Sequence, residues 1–133
     1  MAVADSLRSS FKERANELLD EIEEAMLEFE KQPDDCELLW RSFRAMHTIK
    51  GSGAMFGFDD VSIVAHEVET LLRMAIDGEL TFSRDVISVT LAAHDLICNM
   101  LNTSGDDNFE RTEKSSRIVS CLKEIAQRRL GGR

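Results

Sequence analysis

Residues 6–31 read SLRSSFKERANELLDEIEEAMLEFEK, and this stretch decides the fold. Its apolar residues recur at steps of three or four, which predicts one long helix with a single apolar stripe. The stripe comprises Leu7, Phe11, Ala15, Leu18, Ile22, Met26 and Phe29. Asp5 or Ser6 is predicted to cap this helix, and Pro33 ends it near Lys31. The opposite face is dense with glutamates, so only one side of the helix is suited to a protein core.

The same helical period continues through most of the remaining chain. Asp34 or Asp35 is predicted to cap a second helix, which runs into Gly51, Gly53 and Gly57. A third helix is predicted to begin at a cap formed by Asp59 or Asp60 and to end at the Asp77-Gly78 pair. Ser83 caps a predicted fourth helix that reaches about Leu101, residues 103–108 form a polar loop, and a fifth helix covers about 112–130. We therefore predict an all-α fold, an antiparallel four-helix bundle with an additional C-terminal helix.

The chain of 133 residues has the length of one domain. We expect a single domain over residues 1–130, with its core at about 6–102 and the fifth helix beyond it. Residues 131–133, Gly-Gly-Arg, are interpreted as the start of a linker or an artificial chain end.

Charge and composition limit the class of partner. Apolar residues make up 43% of the chain, and 16 Lys+Arg against 25 Asp+Glu give a net charge of −9. Such a chain repels phosphate backbones and anionic lipid, so neither nucleic acid nor a membrane is an expected partner. No transmembrane or signal segment is apparent. The three cysteines, Cys36, Cys98 and Cys121, lack metal-ligand spacing, which indicates buried thiols in a reduced, cytoplasmic compartment.

The segment His47-Thr48-Ile49-Lys50-Gly51-Ser52-Gly53 carries the candidate chemistry. On a helical wheel His47 points away from the core, with Lys50 and Gly51 within about 60° of it. Gly53 and Gly57 lie toward the packed side, where a bare backbone allows helices to approach closely. Gly51 lies outward, where packing gives it no use, but it leaves room for a large group to reach the imidazole. The alternative is an ordinary surface histidine on a helix that frays at its glycines.

A second cluster lies on the polar face of the third helix and contains His66, Glu69, Thr70 and Arg73. A solvated helix face is one interpretation of it, and a metal site formed with His47 is another. The metal interpretation needs more inward carboxylates than the sequence offers, and a zincin would need a histidine at Thr70. The segment at Lys50 is not a phosphate-binding P-loop, because the lysine precedes the glycines. His94 is interpreted as a partly buried helix residue.

The run from Phe43 to Phe58 resembles histidine phosphotransfer (HPt) domains, most closely the N-terminal one of CheA-type chemotaxis histidine kinases. His66 and Glu69 lie where that family has its second histidine and its glutamate, and the resemblance covers about residues 6–102. It implies that His47 is the phosphoacceptor and that Glu69 accepts a hydrogen bond from its Nδ1. It further implies charge stabilisation by Lys50, a supporting hydrogen bond from His66, and steric access at Gly51.

The resemblance also implies partners. The domain would act as phosphoacceptor and donor within a histidine kinase, without an ATP site or a metal of its own. ATP and Mg²⁺ would be used by a kinase domain of the same polypeptide, acting on the other subunit, and Mg²⁺ also by a response regulator of the CheY or CheB type. An apolar flank of Trp40, Ala54 and Met55 would suit docking. Three alternatives stay open. The first is an HPt module of a multistep relay, which is either free-standing or part of a hybrid kinase. The second is a metal-binding bundle, and the third is a non-catalytic helical adaptor.

Overall fold

The computed structural model describes residues 2–102 and 109–131, so the predicted loop at 103–108 and residues 132 and 133 lie outside it. The described residues form five α-helices: α1 (Ala2–Lys31), α2 (Cys36–Met55), α3 (Asp59–Ile76), α4 (Arg84–Asn102) and α5 (Phe109–Gly131). Among these residues no strand is present and no helix combines the length and apolar character that a membrane crossing requires. The prediction of an all-α bundle is confirmed.

The first four helices pack in a ring, with α1 against α2 and α4, and α3 against α2 and α4. Their directions alternate. Phe11 near the start of α1 stacks on Phe56 just after α2 at 5.7 Å, and Phe29 near the end of α1 meets Phe82 just before α4 at 6.1 Å. Helix α5 packs on the outside of α3 and α4, where Leu122 is fully buried. The architecture is therefore an antiparallel four-helix bundle with one added helix.

The apolar stripe of α1 supplies one wall of the core. Phe11, Ala15, Leu18, Ile22, Met26 and Phe29 are all buried, whereas Leu7 is half exposed. The helix begins at Ala2 rather than at a cap formed by Asp5 or Ser6, so that part of the prediction is wrong. Residues 2–4 are Ala-Val-Ala. Because alanine has the highest helix propensity, the helix extends back through these residues instead of beginning at residue 5 or 6.

Two glycines end helices by adopting positive φ. Gly57 has φ of 86°, its N–H donates to Ala54, and the next N–H, of Phe58, donates to Gly53. Gly78 has φ of 82° and ends α3 with the same pair of bonds. This is the Schellman arrangement, in which a left-handed glycine satisfies the last carbonyls of a helix. The prediction of a packing role for Gly57 is therefore wrong, because Gly57 is exposed and serves as the stop of α2.

The helix starts are partly as predicted. Asp35 caps α2 by accepting from the N–H of Glu37, and the hydroxyl of Ser83 accepts from the N–H of Val86 at the start of α4. The N-cap of α3 is Phe58 rather than an aspartate, because the tight turn at Gly57 brings the chain into the helix one residue early. Asp59 and Asp60 lie in its first turn instead, where acidic side chains interact favourably with the positive end of the helix dipole.

Two expectations about buried polar groups are also revised. Cys36 is exposed and Cys98 and Cys121 are only partly buried, so none of the three thiols belongs to the core. His94 is more deeply buried than expected, and its Nε2 lies 2.9 Å from the carbonyl oxygen of Leu19. This bond joins α4 to α1, so His94 has a structural role at the helix interface.

Candidate functional site

Helix α2 carries His47 on its outward side. The helix is unbroken from Cys36 to Met55, through both Gly51 and Gly53. Met46 and Ile49, on the inward side, are fully buried, while the side chain of His47 is 63% exposed. The orientation expected from the helical period is therefore the one observed, and it presents the imidazole to solvent.

Glu69 of α3 reaches across to the imidazole. Because α2 and α3 are antiparallel neighbours, the middle of one helix lies beside the middle of the other, and Glu69 accepts a hydrogen bond from Nδ1 of His47. An ionised carboxylate only accepts, so the proton of the neutral ring resides on Nδ1. Nε2 is then left with its lone pair, which makes it the nucleophilic nitrogen.

Lys50 binds the second oxygen of the same carboxylate. Its Nζ donates to Oε1 of Glu69 at 2.6 Å, while Oε2 accepts from His47. Burial raises the pKa of Glu69, but hydrogen bonds from Lys50 and His47 and their charges outweigh that effect, so the pKa lies below its ordinary value of 4.5. Glu69 is therefore ionised at neutral pH, in the form that keeps the Nδ1 proton in place.

The interpretation of Glu69 as part of a solvated helix face is wrong. The residue is buried, with 8% exposure, because it lies on the flank of α3 that packs against α2. The period of α3 alone could not reveal this, since the apolar stripe points into the bundle and the flank of a helix is covered only by its neighbour. Two turns before Glu69 on α3, the hydroxyl of Ser62 donates to the carbonyl of Lys50 at 2.9 Å and ties the two helices together.

Gly51 leaves the approach to the site open. A Cβ added at this position would meet no atom within 4 Å. At Gly53, by contrast, an added Cβ would touch Phe58, Val61 and Phe11 at 3.4–3.8 Å, so the expected close packing is found there. The two glycines of one helix thus have different uses, one toward the core and one toward solvent.

His66 lies near the site without joining its hydrogen bonds. It is exposed and lines a shallow groove of about 730 Å³ together with Lys50, Gly51 and Lys123 of α5. Within residues 2–102 and 109–131, no side-chain hydrogen bond links His66 to His47, Lys50 or Glu69. The same described residues contain no cluster of three His, Cys, Asp or Glu side chains that could hold a metal ion.

One aromatic side chain stacks on the imidazole. The ring of Phe43, one turn before His47, lies 6.2 Å from it with an angle of 17° between planes. The sequence analysis does not predict this stacking, for which the four-residue spacing between Phe43 and His47 is the available signal. On the predicted apolar flank, Met55 is 76% exposed and Trp40 37%. Ile63 of α3 is also exposed and lines the same groove as Ala54.

The comparison with protein families decides the assignment. A family model described as Hpt domain matches residues 6–103. The chain belongs to the Hpt domain family. Its Hpt core, α1 to α4, is the ring of four helices that carries His47, Lys50 and Glu69.

Curated relatives of this Hpt domain are chemotaxis proteins and a sensor histidine kinase. It is 32% identical to the chemotaxis protein CheA of Klebsiella aerogenes, over 88% of this chain and 18% of that protein. It is 35% identical to CheA of Halobacterium salinarum, over 91% of this chain and 19% of that protein. With the sensor histidine kinase CheAY of Helicobacter pylori it shares 29% identity over 90% of this chain and 15% of that protein. The chain thus spans less than a fifth of these relatives.

A solved structure supports the same assignment. The solution structure of the histidine phosphotransfer domain of CheA aligns with a TM-score of 0.73 and 30% identity, covering 85% of this chain and 89% of that one. The Hpt domain described here is therefore a phosphotransfer module like that of CheA, and its fold is the helical fold of that domain.

Proposed function

We propose that His47 is the phosphoryl carrier of a CheA-type chemotaxis kinase. It accepts the γ-phosphoryl group of ATP from a separate kinase domain and passes it to an aspartate of a response regulator of the CheY or CheB type. One observation carries this proposal: an exposed imidazole has its Nδ1 bound to a buried carboxylate, so that Nε2 faces solvent with its lone pair. A surface histidine without such a hydrogen-bond partner would not be held in one tautomer.

The proposed phosphorylation of His47 needs only ATP and the neutral imidazole as reactants. The Nε2 lone pair forms the bond to phosphorus as the bond from phosphorus to the bridging oxygen of ATP breaks, and ADP leaves with that electron pair. The ring keeps its proton on Nδ1 and becomes cationic, and the carboxylate of Glu69 stabilises that charge. In the second step a regulator carboxylate attacks phosphorus and Nε2 recovers its lone pair.

The neighbouring residues have supporting roles in this proposal. Phosphoryl transfer depends mostly on positioning and charge stabilisation. Lys50 keeps Glu69 ionised and has two further N–H donors for phosphoryl oxygens. Gly51 admits the partner, and His66, in the adjoining groove, supports the phosphoryl group from the side of α3.

The similarity to CheA supports the proposed partners. We propose that ATP and Mg²⁺ are bound by a kinase domain of the same polypeptide acting across a dimer, and Mg²⁺ also by the regulator, in the cytoplasm. This domain binds neither. The exposed flank of Trp40, Ala54 and Met55 beside the site supports docking of these partners. The relatives at 29–35% identity are chemotaxis kinases, which favours this function over a module of a multistep relay.

The test is phosphorylation by a CheA-type kinase core with radiolabelled ATP, comparing wild type with His47→Gln and His66→Gln. We expect base-stable, acid-labile label on wild type, the same label formed more slowly on His66→Gln, and none on His47→Gln. Because His47 is exposed, all three proteins should show the same helical circular dichroism spectrum. Label on His47→Gln would overturn the proposal, and so would unlabelled wild type with several kinase cores.

A further inference from the structure

The aromatic ring of Phe43 is held at a fixed place beside the imidazole. The 6.2 Å separation and 17° interplanar angle lie within the range in which offset aromatic pairs attract each other. Phe43 is half-buried and packs against the core, and Trp40 meets its ring edge-on at 5.7 Å. The ring is therefore a fixed surface rather than a mobile side chain.

A residue of α3 contacts the same ring. The guanidinium carbon of Arg73 lies 5.7 Å from the centroid of Phe43, within reach of a cation–π interaction. Arg73 is itself paired with Asp77, at 3.5 Å. Phe43 thus has neighbours on both helices that form the site.

The hydrogen bond to Glu69 does not fix the imidazole by itself. It holds one atom, Nδ1, and the ring can still tilt about that bond. With 63% of its side chain exposed, His47 has few other contacts that could prevent tilting. The lone pair of Nε2 lies in the ring plane, so the tilt sets the direction from which phosphorus must approach, and misdirection slows transfer.

Resting on the proposed function of His47, we propose that Phe43 is a positioning residue for phosphoryl transfer. Its stacked ring holds the plane of the imidazole, while Arg73 holds the Phe43 ring from α3. The hydrogen bond from Nδ1 to Glu69 sets the tautomer, and the stack on Phe43 sets the tilt.

The kinetic test measures kcat and KM for phosphorylation of this chain by a CheA-type kinase core. Phe43→Leu keeps an apolar side chain but removes the ring, and Phe43→Tyr keeps the ring. We expect Phe43→Leu to lower kcat about threefold to tenfold, with KM within about twofold of wild type, and Phe43→Tyr to restore kcat. Unchanged kcat in Phe43→Leu, or a loss that Phe43→Tyr does not restore, would overturn the proposal.

A spectroscopic test needs no variant that might fail to fold. The stacked ring should shift the carbon-bound imidazole protons of His47 upfield in the proton NMR spectrum of wild type. The shift should persist in Phe43→Tyr. Imidazole protons at ordinary positions in wild type would overturn the proposal whatever the variants do.

The role of Arg73 is tested with Arg73→Gln, which changes an exposed side chain and leaves the core intact. We expect kcat to fall about twofold and the imidazole shift to shrink, and no change in either would overturn this part. The control separates the two proposals: unlabelled wild type contradicts the function of His47, whereas labelled wild type with a fully active Phe43→Leu contradicts only the positioning role.

Discussion

The carboxylate of Glu69 on α3 accepts a hydrogen bond from Nδ1 of His47 on α2, although the two residues are 22 positions apart in the chain. The antiparallel packing of the two helices creates this pair, and neither helix could form it alone. The buried member of the pair is the one that must stay fixed, and the exposed member is the one that must be reached. This division leaves Nε2 of His47 at the surface, while a carboxylate in the interior holds the proton on Nδ1.

Replacing Glu69 tests that control. Glu69→Gln removes the negative charge while keeping shape and size, so the developing positive charge on the imidazole loses its partner. A hydrogen bond to a charged group is worth about 1.5–3 kcal/mol, which corresponds to a fall in kcat of about tenfold to hundredfold. The measurement is the initial rate of phosphorylation at saturating domain concentration.

The matched control for this prediction is Glu67→Gln on the same helix. Glu67 pairs with Lys123 at 3.9 Å rather than with His47, so its replacement should leave the rate within about twofold of wild type. Equal rates for wild type and Glu69→Gln would contradict the role of the carboxylate. Equal losses in both variants would point to a general effect of charge on kinase docking.

The lowered pKa of Glu69 predicts how stability depends on pH. Hydrogen bonds from Lys50 and His47, outweighing burial, make the folded-state pKa lower than the ordinary value of 4.5 that the unfolded chain approaches. The ionised carboxylate therefore stabilises the fold above about pH 4.5, and this contribution is lost as the pH falls through the lower folded-state pKa. Urea unfolding from pH 6 to pH 3 should show the stability difference between wild type and Glu69→Gln narrowing toward acid. A stability difference between the two proteins that stays constant over this pH range would contradict the prediction.

Much of the fold could be predicted because the stripes of α1 to α4 follow the helical period. The errors in the helix bounds lie at the caps and stops. Gly57 was interpreted by its position on a helical wheel, but a wheel assumes that the helix continues, and this glycine is where it stops. Phe58 is the N-cap of α3 for a related reason. The geometry of the turn decides where this helix begins, whatever the capping propensity of Asp59.

Residue spacing predicts the site only to the extent that it lies on one helix, and the pairing of His47 with Glu69 was implied by the family resemblance alone. His47, Lys50 and Gly51 share the outward face of α2, and their grouping follows from spacing alone. The pairing of Lys50 with Glu69 could not be predicted, because it depends on the offset between α2 and α3. The same holds for Arg73, whose contact with Phe43 crosses between these helices.

Lys50→Met tests the second partner of Glu69. Its loss removes the largest favourable contribution to the ionised carboxylate, so the pKa of Glu69 should rise, measurable by carbon-13 NMR titration of the carboxyl. We expect kcat to fall about threefold to tenfold, less than in Glu69→Gln, because solvent screens a partly exposed ammonium. Lys114→Met, on the exposed face of α5, is the control. An unshifted Glu69 pKa in Lys50→Met would refute the pairing.

The two glycines of α2 predict opposite outcomes for stability and function. Gly51→Ala adds a methyl group to open space inside a helix, so the free energy of unfolding should rise by about 0.5–1 kcal/mol. Gly51→Gln should fold equally well but lower the phosphorylation rate, because its side chain occupies the approach to Nε2 of His47. Gly53→Gln should instead destabilise the domain, because its Cβ would already be in van der Waals contact with Phe58, Val61 and Phe11 at 3.4–3.8 Å, so the rest of the side chain would have to displace them.

Urea unfolding and labelling of these variants with a CheA-type kinase core separate the two effects. If Gly51→Gln is as stable as Gly51→Ala and is phosphorylated at the wild-type rate, the bare backbone beside His47 has no role in access. If Gly51→Gln is phosphorylated more slowly but remains as stable as Gly51→Ala, the glycine serves to keep the path to the imidazole open. No packing contact requires a glycine at this position, so its low helix propensity would otherwise only destabilise the domain.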